Sequence, residues 1–125
     1  MTQSIRKVLI IEDDRLQAAQ FRRTLEKAGF EVQMIDYASG AMDMIDVEQP
    51  HLIVADMLLA GSTLIPLLNE LQSHTDLATI PVVVVSSIAD QMRLEDLAPY
   101  GVKAMLDKTT MHPDDVASEA KRLLL

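Results

Sequence analysis

The chain has no cysteine and no tryptophan, and its 125 residues include only four glycines, five prolines and two each of Phe and Tyr. Without cysteine there is neither a disulfide framework nor a zinc–thiolate site, and the absence suits a reducing cytoplasm, the expected location. So little glycine and proline excludes collagen-like and low-complexity architectures. No long apolar run follows the basic residues of "MTQSIRK", so neither a signal peptide nor a membrane span is indicated. Cations are in the minority, 11 Lys and Arg against 19 Asp and Glu, for a net charge of -8. That balance argues against a surface tracking nucleic-acid phosphates; the expected partners are proteins or cations.

What is present is apolar: 49% of the chain, with eight Met. At this length residues 1–125 read as one domain able to bury a core without staples. Methionines in an aromatic-poor core are gap fillers first.

The apolar pattern alternates between two types. "RKVLII" (6–11), "EVQMID" (31–36), "HLIVAD" (51–56), "IPVVVVSS" (80–87) and "GVKAML" (101–106) read as strands. The first is followed by a helical pattern over 14–28, where Ala18, Phe21, Leu25 and Ala28 share a face and Gly29 marks the end. A short helix within 37–50 ends at Pro50. Ser62 or Thr63 is placed to cap a helix over 64–73, with Pro66 tolerated in its first turn. A helix near 89–98 follows the fourth strand. Pro113, Asp114 and Asp115 open the last helix, which turns Val116, Ala120, Leu123 and Leu124 inward. Strict strand–helix alternation with unbroken apolar strands means α/β, a parallel sheet covered on both faces. Right-handed crossovers bring every strand's C-terminal end to one edge, where such sheets bind ligands.

Four strands deliver polar groups to that edge: Glu12 and Asp13, Asp56, Ser86 and Lys108. Three carboxylates so close repel one another unless a cation joins them. An all-oxygen set suits Mg²⁺ or Mn²⁺ and disfavours zinc. A metal, an exposed Asp, a Lys and a hydroxyl together suit phosphate chemistry, with the Asp as nucleophile and the cations neutralising phosphoryl oxygens.

"VLIIEDD", "HLIVADM", "IPVVVVSS" and "GVKAMLDK", in this order and spacing, resemble the receiver domain of two-component response regulators over essentially the whole chain. The resemblance implies a doubly wound five-stranded parallel sheet in the order 2-1-3-4-5, a flavodoxin-like three-layer sandwich. It implies phosphorylation of Asp56 by a sensor histidine kinase or phosphotransfer protein, in a signalling domain that catalyses only its own phosphorylation and dephosphorylation. Asp13 becomes a direct Mg²⁺ ligand, Glu12 a water-mediated one, and the Leu58 carbonyl a third protein contact beside Asp56. Asp14 falls one position beyond the acidic pair and starts the first helix. Ser86 is the hydroxyl that swings toward the phosphoryl group, and Lys108 pairs with that group. The remodelled surface is helix four, strand five and helix five, where a downstream protein, a fused output domain or a second copy binds; nucleic acid and membrane are not expected partners. The terminal "RLLL" fits a stand-alone regulator and an excised domain equally.

The sequence departs from the family pattern in the loop after Asp56, where Ala60 and Leu64 replace Pro and Gly, with Gly61 and Pro66 nearby. It departs again at Thr109, where the family has a cis-linked Pro. A cis bond before a non-proline residue costs about 2.5–4 kcal/mol, so a trans bond and an altered Lys108 loop are expected. Met105 stands where an aromatic or His usually follows the movement of the hydroxyl residue, which predicts a softer switch. Leu58 and Ile88 flank the path of the hydrolytic water and cannot hydrogen-bond it, so slow loss of phosphate is expected.

Each residue also has a plainer reading. An isolated Asp56 would cap the next helix, Glu12 and Asp13 would complement a helix dipole, and Lys108 would be a solvated charge; their meeting at one edge favours the shared role. Ser86 and Ser87 are both turn formers, and only the resemblance selects Ser86. His51, His74 and His112 lack metal spacing and read as structural, while Arg22, Arg23 and Lys27 read as a solvated helix face. Two other functions compete: a receiver-like adaptor indifferent to phosphate, and an aspartate-nucleophile phosphohydrolase, which wants an Asp where Leu58 stands.

Overall fold

The long strands are apolar at consecutive positions because both of their faces are covered. The structure, a computed structural model, describes residues 5–59 and 62–125. Strands β1 (Lys7–Ile11), β2 (Glu31–Ile35) and β3 (Leu52–Asp56) alternate with helices α1 (Arg15–Lys27) and α2 (Ala41–Glu48). Two short strands follow, β4 (Leu58–Leu59) and β5 (Ser62–Thr63), then α3 (Ile65–Gln72), β6 (Val82–Ser86), α4 (Leu94–Leu97), β7 (Val102–Asp107) and α5 (Asp114–Leu124). The main sheet is parallel in the order β2-β1-β3-β6-β7, which is 2-1-3-4-5 when only its own strands are counted. No helix among the described residues is long and apolar enough to cross a membrane.

Alternate residues of each strand feed two cores. Leu9, Ile11, Ile53, Ala55, Val82 and Val84 pack with Ala41 and Ile45 of α2 and Leu67, Leu68 and Leu71 of α3. Val8, Ile10, Leu52, Val54, Val83 and Val85 pack with Phe21 and Leu25 of α1 and Val116 and Ala120 of α5. This two-faced burial is what an α/β sandwich demands of its strands. In β7 the pairing slips by one residue, since Val82 faces Val102 but Val83 faces Ala104. The slip sends Val102 and Ala104 to opposite cores and Met105 to the α2–α3 side, an irregularity that strand periodicity does not reveal.

The ends of the elements follow local chemistry. Asp14 caps α1, its side chain accepting from the Gln17 amide at 3.1 Å, and Gly29 takes φ +99° just beyond the helix. Gln49 closes α2 with φ +47°, a left-handed conformation unusual for a side-chain-bearing residue. The Lys7 amide donates to His51 Nδ1 at 2.9 Å, and the His51 amide returns a bond to the Lys7 carbonyl at 2.8 Å. His51 therefore ties β1 to β3, as its structural reading requires.

Two expectations need correction. The helix expected near 89–98 is broken: a 3₁₀ turn at Ala89–Gln91, extended backbone at Met92 and Arg93, one helical turn at Leu94–Leu97 and another 3₁₀ turn at Ala98–Tyr100. Of this stretch only Leu97 is buried, so no apolar stripe sustains a longer helix. Tyr100, at the end of this segment, packs half-buried against the core. The cap expected for α3 from Ser62 or Thr63 falls instead on Leu64, which makes no side-chain cap bond, because Ser62 and Thr63 pair as β5 with β4; Thr63 Oγ1 accepts from the Ile65 amide at 3.4 Å, while the Ser62 hydroxyl donates to the Thr63 carbonyl at 3.0 Å. Ala60 and Gly61, on which the altered loop was read, lie outside the described residues.

Candidate functional site

β1, β3, β6 and β7 are consecutive parallel strands of the sheet, so residues at their C-terminal ends that are far apart in sequence meet there. Carboxylate oxygens of Glu12, Asp13 and Asp56 lie within 4.8 Å of one another. Glu12 and Asp56 are buried, 4% and 8% exposed, whereas Asp13 is open to solvent. Lys108 reaches in from the end of β7, its Nζ 2.7 Å from Asp56 Oδ2 and 2.7 Å from Glu12 Oε2. The contact with Asp56 is a hydrogen bond. That with Glu12 is charge proximity without hydrogen-bond alignment, which leaves Glu12 Oε2 buried with no donor directed at it.

The remaining oxygens are fixed by backbone. Asp56 Oδ1 accepts from the Leu58 amide and Glu12 Oε1 from the Asp14 amide, each at 3.1 Å. Met57's carbonyl accepts from the Leu64 amide at 2.9 Å, and Leu58 stands opposite Thr63 in the β4–β5 pair. In that pairing the amide and carbonyl of Leu58 face away from the partner strand, on the side where its amide already meets Asp56. Ser86 is fully buried; its hydroxyl accepts from the Ile88 amide at 3.2 Å, and its carbonyl accepts from the Lys108 amide at 3.1 Å. Met105 lies two residues before Asp107, opposite Val84 and half-buried against the core. The four charged residues are thus together, while Ser86 is turned to its own loop and Met105 stands further down the sheet.

Electrostatics follow from this burial. Desolvation pushes the Glu12 carboxyl above its ordinary value; the neighbouring Lys108 ammonium and the hydrogen bond from the Asp14 amide oppose that rise, and the Asp56 charge adds to it. Burial works to lower the Lys108 ammonium, but the close contacts and charges of Asp56 and Glu12 prevail and raise it, so it stays cationic. The donor set is hard oxygen throughout, with one buried oxygen unsatisfied and an excess of negative charge; it fits a small divalent cation.

Sequence reasoning missed the turn that follows. The Lys108–Thr109 bond is trans, as expected. In place of the family's proline, the Thr109 amide and hydroxyl both donate to Asp107 Oδ1, at 2.8 and 2.6 Å. The Thr110 and Met111 amides donate to the Asp107 carbonyl at 3.1 and 2.8 Å. These bonds hold the exposed Asp107 carboxyl below its usual value, the Thr109 hydroxyl contributing most and its amide next. The signal in "DKTT" was the Asp two residues before a Thr, an Asx-turn pattern.

Comparison with known proteins agrees with the geometry. A family model described as the response regulator receiver domain matches residues 8–120. The polar-differentiation response regulator DivK of Brucella anthropi is 27% identical over 108 residues, covering 86% of this chain and 88% of that one. The two-component response regulator ORR3 of Oryza sativa subsp. indica is 24% identical over 119 residues, 94% of this chain and 90% of the relative. Among solved structures, a sensor protein from Polaromonas sp. JS666 superposes with a TM-score of 0.85 at 25% identity, covering 94% of both chains.

Proposed function

The chain belongs to the response regulator receiver domain family, and from that premise we propose that it is a phosphoacceptor whose Asp56 receives a phosphoryl group from a sensor histidine kinase or phosphotransfer protein. The observation that carries this reading is the Lys108 ammonium, 2.7 Å from both Asp56 and Glu12, two members of a cluster of three carboxylates at the strand ends. A merely structural lysine would not be set among more carboxylates than it can neutralise.

In the proposed transfer a carboxylate oxygen of Asp56 attacks phosphorus. The new P–O bond forms as the donor's P–N bond breaks, and the electron pair returns to the imidazole, which takes a proton from solvent. Lys108 keeps its proton throughout and offers the charge now spent on Asp56 to a phosphoryl oxygen. Asp13, Asp56 and the Leu58 carbonyl, with Glu12 through water, are the groups that would hold Mg²⁺ or Mn²⁺; when bound, such an ion neutralises charge on the transferring group. Leu58 contributes its amide to Asp56 Oδ1, which fixes the carboxylate before attack.

The added charge, about -1.5 to -2, then draws the Ser86 hydroxyl away from the Ile88 amide. That amide opens the broken segment 89–100, so its release loosens the surface of α4, β7 and α5 with Met105 beneath. This face is the proposed contact for a downstream protein, a fused output domain or a second copy.

Incubation with Mg²⁺ and acetyl phosphate tests the proposal by intact mass. One added phosphoryl group on the parent and none on Asp56→Asn is the expected result. No adduct despite demonstrated Mg²⁺ binding would point to the phosphate-indifferent adaptor, and steady phosphate release to a hydrolase.

A further inference from the structure

The edge that must receive a phosphoryl anion is itself strongly negative. Two sheet strands end in Asp56 and Asp107, and the four residues after each strand end add Glu12, Asp13, Asp14, Asp36 and Asp90. The same positions supply two cations, Arg15 and Lys108. Lys108 is committed to Glu12 and Asp56. Arg15 has no carboxylate within 4.0 Å among the described residues.

Its place in the helix makes the free charge unusual. Lys27, Lys121 and Arg122 occupy the last turns of α1 and α5, where a helix dipole favours cations, but Arg15 opens α1, where the dipole opposes one. Arg15 is exposed, and it lines a cavity of about 430 Å³ with Glu12, Ala18, Met34, Ile35 and Asp36. Glu12 is the shared wall between this cavity and the Lys108 bridge. The guanidinium is thus uncommitted, beside the acidic pair, and disfavoured by its own helix.

We propose that Arg15 is a positioning residue whose charge draws the phosphoryl dianion of a small acyl-phosphate donor toward Asp56 before transfer. The inference rests on the phosphoacceptor reading above. In the step it serves, Asp56 forms a P–O bond as the acyl–O–P bond breaks, and the electron pair leaves with the acyl group as a free carboxylate. Arg15 keeps its proton and exchanges no atom.

One charge acting on a dianion across about 10 Å of water alters its affinity about fourfold, and reversing that charge about fifteenfold. Initial rates of labelling by acetyl phosphate, at saturating Mg²⁺ and low ionic strength, should show the half-saturating concentration raised to that extent in Arg15→Gln and Arg15→Glu. The maximal rate should be unchanged, Arg15→Lys should behave as the parent, and the differences should collapse in about 0.5 M KCl, where screening acts within a few ångströms. Parent-like half-saturation in Arg15→Glu, or a lowered maximal rate that persists in salt, overturns the proposal. A titration with inorganic phosphate and Mg²⁺, followed by NMR at amides 13–17, separates the two readings. Shifts that are weakened in Arg15→Gln support Arg15 even if the parent takes no label, in which case the phosphoacceptor reading is the one that fails; shifts that are equal in both proteins overturn Arg15.

Discussion

Leu58 has its backbone and side chain on different tasks. Its amide holds Asp56 Oδ1, while its side chain, 43% exposed, stands at the rim with nothing to offer a water. Asparagine at this position keeps the amide and adds a group able to orient the attacking water. Leu58→Asn is therefore expected to shorten the lifetime of the phosphorylated protein severalfold, as read by intact mass after removal of donor; an equal or longer lifetime would remove the idea. Asp107 gives a second residue-scale prediction, in pH. Its folded value lies below the ordinary one because Thr109 binds the carboxylate, so the stabilisation is complete above the unfolded pKa of about 4 and is lost as pH falls through the folded value. Asp107→Ala should lower the urea midpoint at neutral pH and converge with the parent in acid; curves that stay parallel down to low pH would contradict it.

At the scale of elements, α2 ends on a strained residue. Left-handed backbone costs a residue with a Cβ about 1–2 kcal/mol, offset in part by the entropy that glycine loses on folding. Gln49→Gly should therefore raise stability by up to about 1 kcal/mol, seen as a higher urea midpoint at unchanged slope. The position was not legible beforehand, because Pro50 announced an end to the helix without saying how the chain would turn. Elsewhere the elements were legible for the same reason that they are stable. "VLII", "LIVA" and "VVVV" can serve only as strands covered on both faces, and Phe21 and Leu25 only as the inner stripe of a helix. Legibility failed where packing is thin. Residues 89–100 supply too few buried side chains to impose a period, and the β4–β5 pair is too short to have one. Glu12, Asp13, Asp56 and Lys108 were readable because each follows an unmistakable strand; the slip in β7 that sets Met105 and the turn at Asp107 depend on pairing and side-chain bonds that a linear pattern does not carry.

For the whole molecule, the site is a place where charge repulsion is held in check by packing. Removing that repulsion should stabilise the fold: an ion that binds the native state alone adds about 2.7 kcal/mol at a hundredfold excess over its dissociation constant. Mg²⁺ is thus expected to raise the urea midpoint of the parent and to have little effect on Asp13→Ala, whereas an equal gain in both would place the ion elsewhere. The scarcity of aromatic residues has one more consequence. With no tryptophan in the chain, ultraviolet emission comes from two rings, Tyr37, half exposed after β2, and Tyr100, half-buried against the core at the end of the broken segment between β6 and β7. Tyr100 thereby serves as a built-in optical reporter for the segment proposed to loosen, and Tyr37→Phe leaves it as the sole emitter.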